Sequence, residues 1–498
     1  MKVWVLAGIV LIVGCAAPRR SLTILHTNDI HGHFVPERAS WRSDSAMVGG
    51  FGPLSGALDS VRNADKNTIY LDAGDLMTGN PICNMVVDDT EGGALPHLLN
   101  LCECDAIALG NHEFDLGPEH LRDFVSKKKV DWLSANTVDK TTGNSLCPSY
   151  KIIERSGLRI GVIGLILTDL AGVVSKQAIS DFTIADIAES AQMSIDEIDD
   201  DTDLIILLTH NGVEKDKELA NSVHGCDIII GSHSHTRLSE PVIENNIIIV
   251  QAGSYLKNLG VLKVDVQKDK VTRHKGQLIE LDATRFAPDP EVAEYCARFG
   301  EEIDREYGEV IATAGASWER SYVESSTLGN LLCDLLRDGY KTDFSLINSG
   351  GIRKDVMAGQ VRKLDIVEML PFANFVNLFE VSGKEVFTFA AKQAQSQISG
   401  KSEVLQMSGI QIEYESDNDT AKNMRVLVNG VQVDTSASYR GVSIDYVLKS
   451  QAEKYFGFKP GEIEETGVLL CDFIINALLA APQPIYPKNE KRLIRESE

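Results

Sequence analysis

Five times in its first half the chain follows one plan: a short aliphatic run stops at a loop that carries Asp, His or Asn. Residues 22–25 lead into His26-Thr27-Asn28-Asp29-Ile30-His31, 68–71 into Asp72-Ala73-Gly74-Asp75, and 106–109 into Gly110-Asn111-His112-Glu113-Phe114-Asp115. Residues 204–208 lead into Thr209-His210-Asn211-Gly212, and 228–230 into Gly231-Ser232-His233-Ser234-His235. Short, unbroken β-branched and aliphatic runs read as buried strands. Helical patterns lie between several of them, such as 118–128 behind the Leu116-Gly117 turn. The alternation predicts an α/β fold, and strand ends gathered on one sheet edge are where such folds build their sites.

All 11 histidines lie at or before His274, which confines imidazole chemistry to the N-terminal domain. A chain of 498 residues exceeds one ordinary core. The break falls at 282–289, beside Pro288 and Pro290, and 291–307 reads as a charged amphipathic helix. From about 310 a second α/β pattern begins, with the glycine-rich turn Asn348-Ser349-Gly350-Gly351-Ile352-Arg353. The expected division is therefore 1–20 as signal and tether, 21–286 and 310–498 as domains, and 287–309 as a linker helix.

The start of the chain reads as an export signal. Met1-Lys2 precedes an apolar stretch, 3–13, that is too short to span a bilayer, which needs ~20 apolar residues. Ile12-Val13-Gly14-Cys15 resembles the lipobox of bacterial lipoproteins, which implies cleavage before Cys15 and acylation of its thiol. The expected location is the bacterial cell envelope, lipid-anchored through Cys15, in the periplasm or at the outer membrane. The other cysteines show no CxxC pair of the kind zinc sites use. A net charge of -24 repels phosphate backbones and disfavours long nucleic acid as a partner.

The five loops hold the atoms that two adjacent divalent ions require: carboxylates, one of them able to bridge, imidazoles and a neutral amide oxygen. Asp29 and His31 come from one loop, Asp75 follows a glycine that permits a tight turn, and Asn111, His210, His233 and His235 complete the set. Nitrogen and oxygen donors suit zinc or manganese, with cobalt or iron as further choices.

In this order, DIHGH, GD, GNHEFD, the His210 loop and SHSH resemble the calcineurin-like metallophosphatase signature. Followed by NSGGIR and LPFAN, they resemble the 5'-nucleotidase family over nearly the whole chain from Leu22. The resemblance implies an N-terminal β-sandwich flanked by helices (αββα), a linker helix and a smaller α/β substrate-binding domain. It implies one metal at Asp29, His31, Asp75 and His235, and a second at Asp75, Asn111, His210 and His233. It also implies His112 as the catalytic imidazole, oriented by Asp115. For the second domain it implies nucleoside contacts at Asn348, Arg353, Phe372, Asn374 and Tyr446. Two departures stand out. The Gly-Gly-Asp expected after Tyr446 is missing, and Ser232 stands where the family has glycine.

Three readings follow. In the first, the chain hydrolyses nucleoside monophosphates, with nucleotide pyrophosphates or UDP-sugars as further substrates of that site. In the second, the same dimetal site acts on a non-nucleotide phosphate, a cyclic nucleotide or a sulfur ester. In the third, the chain is an inactive surface-binding lipoprotein. His26 and His33 are expected to hydrogen-bond around the first loop, Asp72 to support the Asp75 loop and Asn28 the Asp29 loop.

Overall fold

The computed structural model describes residues 19–496 except 40, 45, 401, 402 and 418, so Cys15 and the export signal lie outside the described residues. Alternation within each strand decides the architecture of the first domain. Leu22 and Ile24, Ile69 and Leu71, and Ala106 and Ala108 turn one way and meet Ile206, Leu208, Ile228 and Ile230 in one buried cluster. Leu25, Tyr70 and Ile107 turn the other way, under the helices Phe51–Ala64 and Ala94–Leu101. Ile205, Leu207 and Ile229 likewise face the helix Ile187–Ile198. Two six-stranded sheets therefore pack face to face with helices outside each, the αββα sandwich.

In the first sheet Arg20–Thr27 lies between its parallel neighbour Thr68–Asp72 and its antiparallel neighbour Asn258–Val266. In the second, Leu158–Ile166, Leu204–His210, Ile228–Ile230 and Ile247–Val250 run parallel. Parallel order brings the C-terminal ends of these strands to one edge, where all five polar loops emerge. The first strand begins at Arg20, one residue earlier than the expected tether allows, and Arg19 pairs with Asp265 at 2.7 Å.

The helix Pro290–Tyr307 starts at an Asp289 cap that accepts the N–H groups of Glu291 and Val292 at 2.8 and 3.2 Å. Its buried stripe, Val292, Cys296, Phe299 and Ile303, belongs to the core of the first domain. The connecting helix is thus anchored on one side rather than free between domains. The second domain has one core, in which a five-stranded sheet packs with Thr327–Tyr340, Gly383–Ser399 and Leu470–Ala480. Among the described residues no cysteine is disulfide-bonded, and no helix is long and apolar enough to cross a membrane.

Candidate metal centre and substrate cleft

Backbone strain marks the edge where the loops meet. Asp29, His31, Asp75, His233 and His235 all have positive φ, between 50° and 73°, a region side-chain-bearing residues seldom enter. The turn breaks each strand abruptly and aims its side chain across the sheet edge. The first two loops are laced together by N–H bonds from Asp29 to the Gly74 carbonyl, from His31 to Asp75 and from Gly32 to Leu76. Gly110 has to be bare, since a Cβ there would collide with Asp75 Oδ1.

The side chains converge around one carboxylate oxygen. Asp75 Oδ2 lies 3.7 Å from His31 Nε2, 3.2 Å from His210 Nε2 and 3.9 Å from His112 Nε2. On one side His31 Nε2 and His235 Nε2 are 3.0 Å apart, with His235 3.5 Å from Asp29 Oδ1. On the other, Asn111 Oδ1 is 3.1 Å from His210 Nε2 and 2.8 Å from His233 Nδ1. The outer nitrogens fix the tautomers. His31 Nδ1 donates to the carbonyls of Met77 and Thr78, and His210 Nδ1 to that of Ala73, so each Nε2 points inward. Lone pairs facing lone pairs on two sides of a shared carboxylate match the demand of two cations.

Protonation agrees with that arrangement. Burial holds His31, His233 and His235 neutral, His233 down at about 3, and neutral imidazole is the ligand form. Burial pushes Asp29 up to about 7 against the pull of His210. Burial would raise Asp75 too, but His210 and His112 hold it well below its ordinary value. His210 is the exception: burial works to lower it, yet Asp75 outweighs burial and carries the imidazole up to about 9, so its Nε2 carries a proton toward Asp75 that a cation would have to displace.

His112 also turns toward the shared carboxylate, with Nε2 close enough to His31 and Asp75 to share a cation with them. Its backbone N–H donates to Asp75 Oδ1 at 2.9 Å, and its ring Nδ1 donates to Asp115 Oδ2 at 2.7 Å. Burial alone lowers His112, but Asp115 and then Asp75 more than offset it, so the imidazole rises above its usual value. Nε2 has Asp75 Oδ2 at 3.9 Å, and His112 borders the cleft.

The expected second-domain residues border the same cleft of about 790 Å³: Asn348, Arg353, Phe372, Asn374 and Tyr446. Phe372 leans on the His112 imidazole with ring centroids 5.7 Å apart, and Arg353 Nη2 reaches His31 Nε2 at 3.2 Å. Of the supporting residues, Asn28 bonds Asp29 Oδ2 at 2.7 Å and Asp72 accepts the Gly74 N–H at 3.0 Å. His33 bonds Glu37 instead, at 2.8 Å. His26 departs from expectation. Its Nδ1 is buried without a hydrogen-bond partner, and burial lowers it to about 4.

Two groups escaped the sequence reading. Glu113, between His112 and Phe114, accepts four backbone N–H groups, from Gly110, Asp75, Leu76 and Met77 at 2.6 to 3.2 Å. It thereby fixes the loop that carries Asp75. Tyr255 stands over His235 and His31 with centroids 5.3 and 5.6 Å away, and its hydroxyl meets the Arg353 carbonyl at 3.5 Å.

Comparison with known proteins places these features. Residues 22–237 match the calcineurin-like phosphoesterase family and residues 307–458 the 5'-nucleotidase C-terminal domain. The chain is 29% identical to a 5'-nucleotidase of Diplobatis ommata, over 81% of this chain and 76% of that one. It is 25% identical to Endonuclease YhcR of Bacillus subtilis (strain 168) over 87% of its own residues, but spans only 37% of that protein's length. The crystal structure of a 5'-nucleotidase precursor from Thermus thermophilus superposes with a TM-score of 0.86 at 26% identity, covering 96% of this chain and all of that one.

Proposed function

Since the chain belongs to the 5'-nucleotidase family, as a two-domain metallophosphohydrolase, we propose that it converts nucleoside monophosphates to nucleosides and phosphate with two divalent ions. The observation that carries this is the pair of inward donor sets sharing Asp75 Oδ2, with His112 beside them and Arg353 facing them from the second domain.

One set is Asp29, His31, Asp75 and His235; the other is Asp75, Asn111, His210 and His233. Zinc or manganese suits both. When bound, such a pair supplies Lewis acidity, which makes water reactive near neutral pH and offsets charge on phosphoryl oxygens. The protein's own groups do the rest. Arg353 places a fixed cation where a phosphoryl group would approach His31. His112, kept protonated by Asp115, donates through Nε2 to the oxygen on which negative charge develops. Phe372 and Tyr446 offer flat rings for a base, and Asn374 an amide for its edge.

The domains in this reading are 21–286 and 310–498, joined by 287–309. Export and acylation at Cys15 rest on the sequence alone, and a Cys15→Ser variant that still fractionates with membranes contradicts anchoring. The activity is tested by phosphate release from a panel of nucleotides, sugar phosphates, cyclic nucleotides and thiosulfate esters. AMP or UMP should be the better substrates. Turnover of another ester with nucleotides untouched refutes the assignment.

A further inference from the structure

Two buried side chains behind the donor loops take no part in the chemistry described above, and each grips both neighbours of one histidine. Asp216, in the helix Val213–Ala220, is fully buried. Its Oδ1 accepts the Thr209 hydroxyl at 2.9 Å and the Asn211 side-chain amide at 3.4 Å. Those two residues flank His210. Gln251 follows the strand Ile247–Val250 and is 1% exposed. Its Oε1 accepts the Thr236 N–H at 3.1 Å and the Ser234 hydroxyl at 2.9 Å, on either side of His235. A backbone N–H can only donate, so the Gln251 atom turned toward it is the oxygen.

Holding both neighbours fixes the residue between them. Thr209 and Asn211 meet the same oxygen, so they share one face at the end of the strand Leu204–His210, and His210 takes the other. The same carboxylate abuts Gly231, two residues before His233, where a Cβ would collide with Oδ2. His210 and His233 belong to one donor set. His235 belongs to the other. Its φ of 53° persists only where the surroundings enforce it, and the Gln251 oxygen closes on the residue before it and the residue after.

We propose that Asp216 and Gln251 are positioning residues with divided duties. Asp216 holds the set of Asp75, Asn111, His210 and His233, and Gln251 holds the set of Asp29, His31, Asp75 and His235. The division rests on the two-metal reading above. What each grip requires is a hydrogen-bond acceptor of the right reach. An apolar side chain of similar size removes the acceptor and keeps the packing, whereas exchange between carboxylate and amide keeps both.

The test is calorimetric titration of the full chain, freed of metal by a chelator, with manganese. Asp216→Leu and Gln251→Met are compared with Asp216→Asn and Gln251→Glu. Each is made in wild type, in His31→Ala, which keeps the Asp216 site, and in Asn111→Ala, which keeps the Gln251 site. Wild type should take up two ions. Asp216→Leu should weaken the ion left in His31→Ala about 10–100-fold and leave the ion in Asn111→Ala unchanged. Gln251→Met should do the reverse. Asp216→Asn and Gln251→Glu should bind as their parents do. Should a buried apolar substitution unfold the chain, Thr209→Val and Ser234→Ala carry the test, each weakening the ion of the grip it serves. The proposal is overturned if both apolar variants weaken the same ion, if neither weakens any, or if the conservative variants lose as much. A wild type that takes up no manganese overturns the metal centre and the grips together. Two ions bound equally in every folded variant overturn the grips alone. Site-selective loss in a chain that releases no phosphate from nucleotides contradicts the proposed activity alone.

Discussion

Arg353 Nη2 stands 3.2 Å from His31 Nε2, although 322 residues separate them and they belong to different domains. The contact is held from both sides. Backbone bonds tie the Arg353 N–H to the Met369 carbonyl, and the Tyr255 hydroxyl to the Arg353 carbonyl. The next residue, Lys354, bonds Glu368 of its own domain and lies 3.8 Å from Glu37 of the first. Asn80 Nδ2 crosses the same boundary to Glu368 Oε1 at 2.5 Å. Arg353 is therefore flanked in sequence by an ionic cluster that joins the two domains.

Breaking that cluster should loosen the grip on phosphate before it unfolds the protein. Lys354→Met leaves Glu368 without its cation and Glu37 with His33 alone. With 26% of the lysine side chain exposed, the expected loss is about 1–3 kcal/mol, below that of a fully buried pair. Urea denaturation gives the stability change, and inorganic phosphate inhibition reads out Arg353. The inhibition constant should rise about tenfold, the weight of roughly one charge-assisted hydrogen bond. Unchanged inhibition together with lower stability would leave the cluster a purely structural role.

Glu113→Gln should weaken the Asp75 loop. A carboxylate accepting four N–H groups is replaced by an amide that presents one donor face to them. The loss is about 1.5–3 kcal/mol in stability, the range for hydrogen bonds to charged groups. Metal affinity should fall as well, because Asp75 loses its fixed position. Thermal melts with and without added zinc check both, and a variant equal to wild type in each contradicts the role.

His112→Ala should lower kcat about 10²–10⁴-fold, the usual weight of one acid–base group. The pH profile is more specific. The active imidazole is protonated, so activity is held below its pKa and lost above it. Asp115 raises that pKa, and Asp115→Asn should shift the basic limb of kcat to lower pH. A basic limb that stays in place contradicts the pairing of the two residues.

The strand-end pattern pointed to the seven candidate donors because each lies in a loop that follows an aliphatic run whose burial fixes its edge. The sandwich was implied by the family resemblance, and the structure shows its physical reason in the two faces of each strand. Leu22 and Ile24 cannot share a face with Leu25, so every strand had to be covered on both sides. Glu113 was hidden for the opposite reason. Its function depends on the backbone of a loop 36 to 38 residues away, which no local pattern encodes. The Asn80–Glu368 contact is longer-range still, and an acid at such a position looks like an ordinary surface residue in a linear reading. His26 misled because a histidine near a ligand loop resembles a supporting residue, whereas packing alone neutralises it.

The central claim is that seven side chains hold a pair of cations with Asp75 shared between them. Elemental analysis of the purified chain after dialysis against zinc or manganese measures this directly. The expected result is two ions per wild-type chain, one in His233→Ala, and fewer than one in Asp75→Ala, where both sites lose a ligand. Wild type that retains no metal, or Asp75→Ala that still retains two ions, would contradict the account.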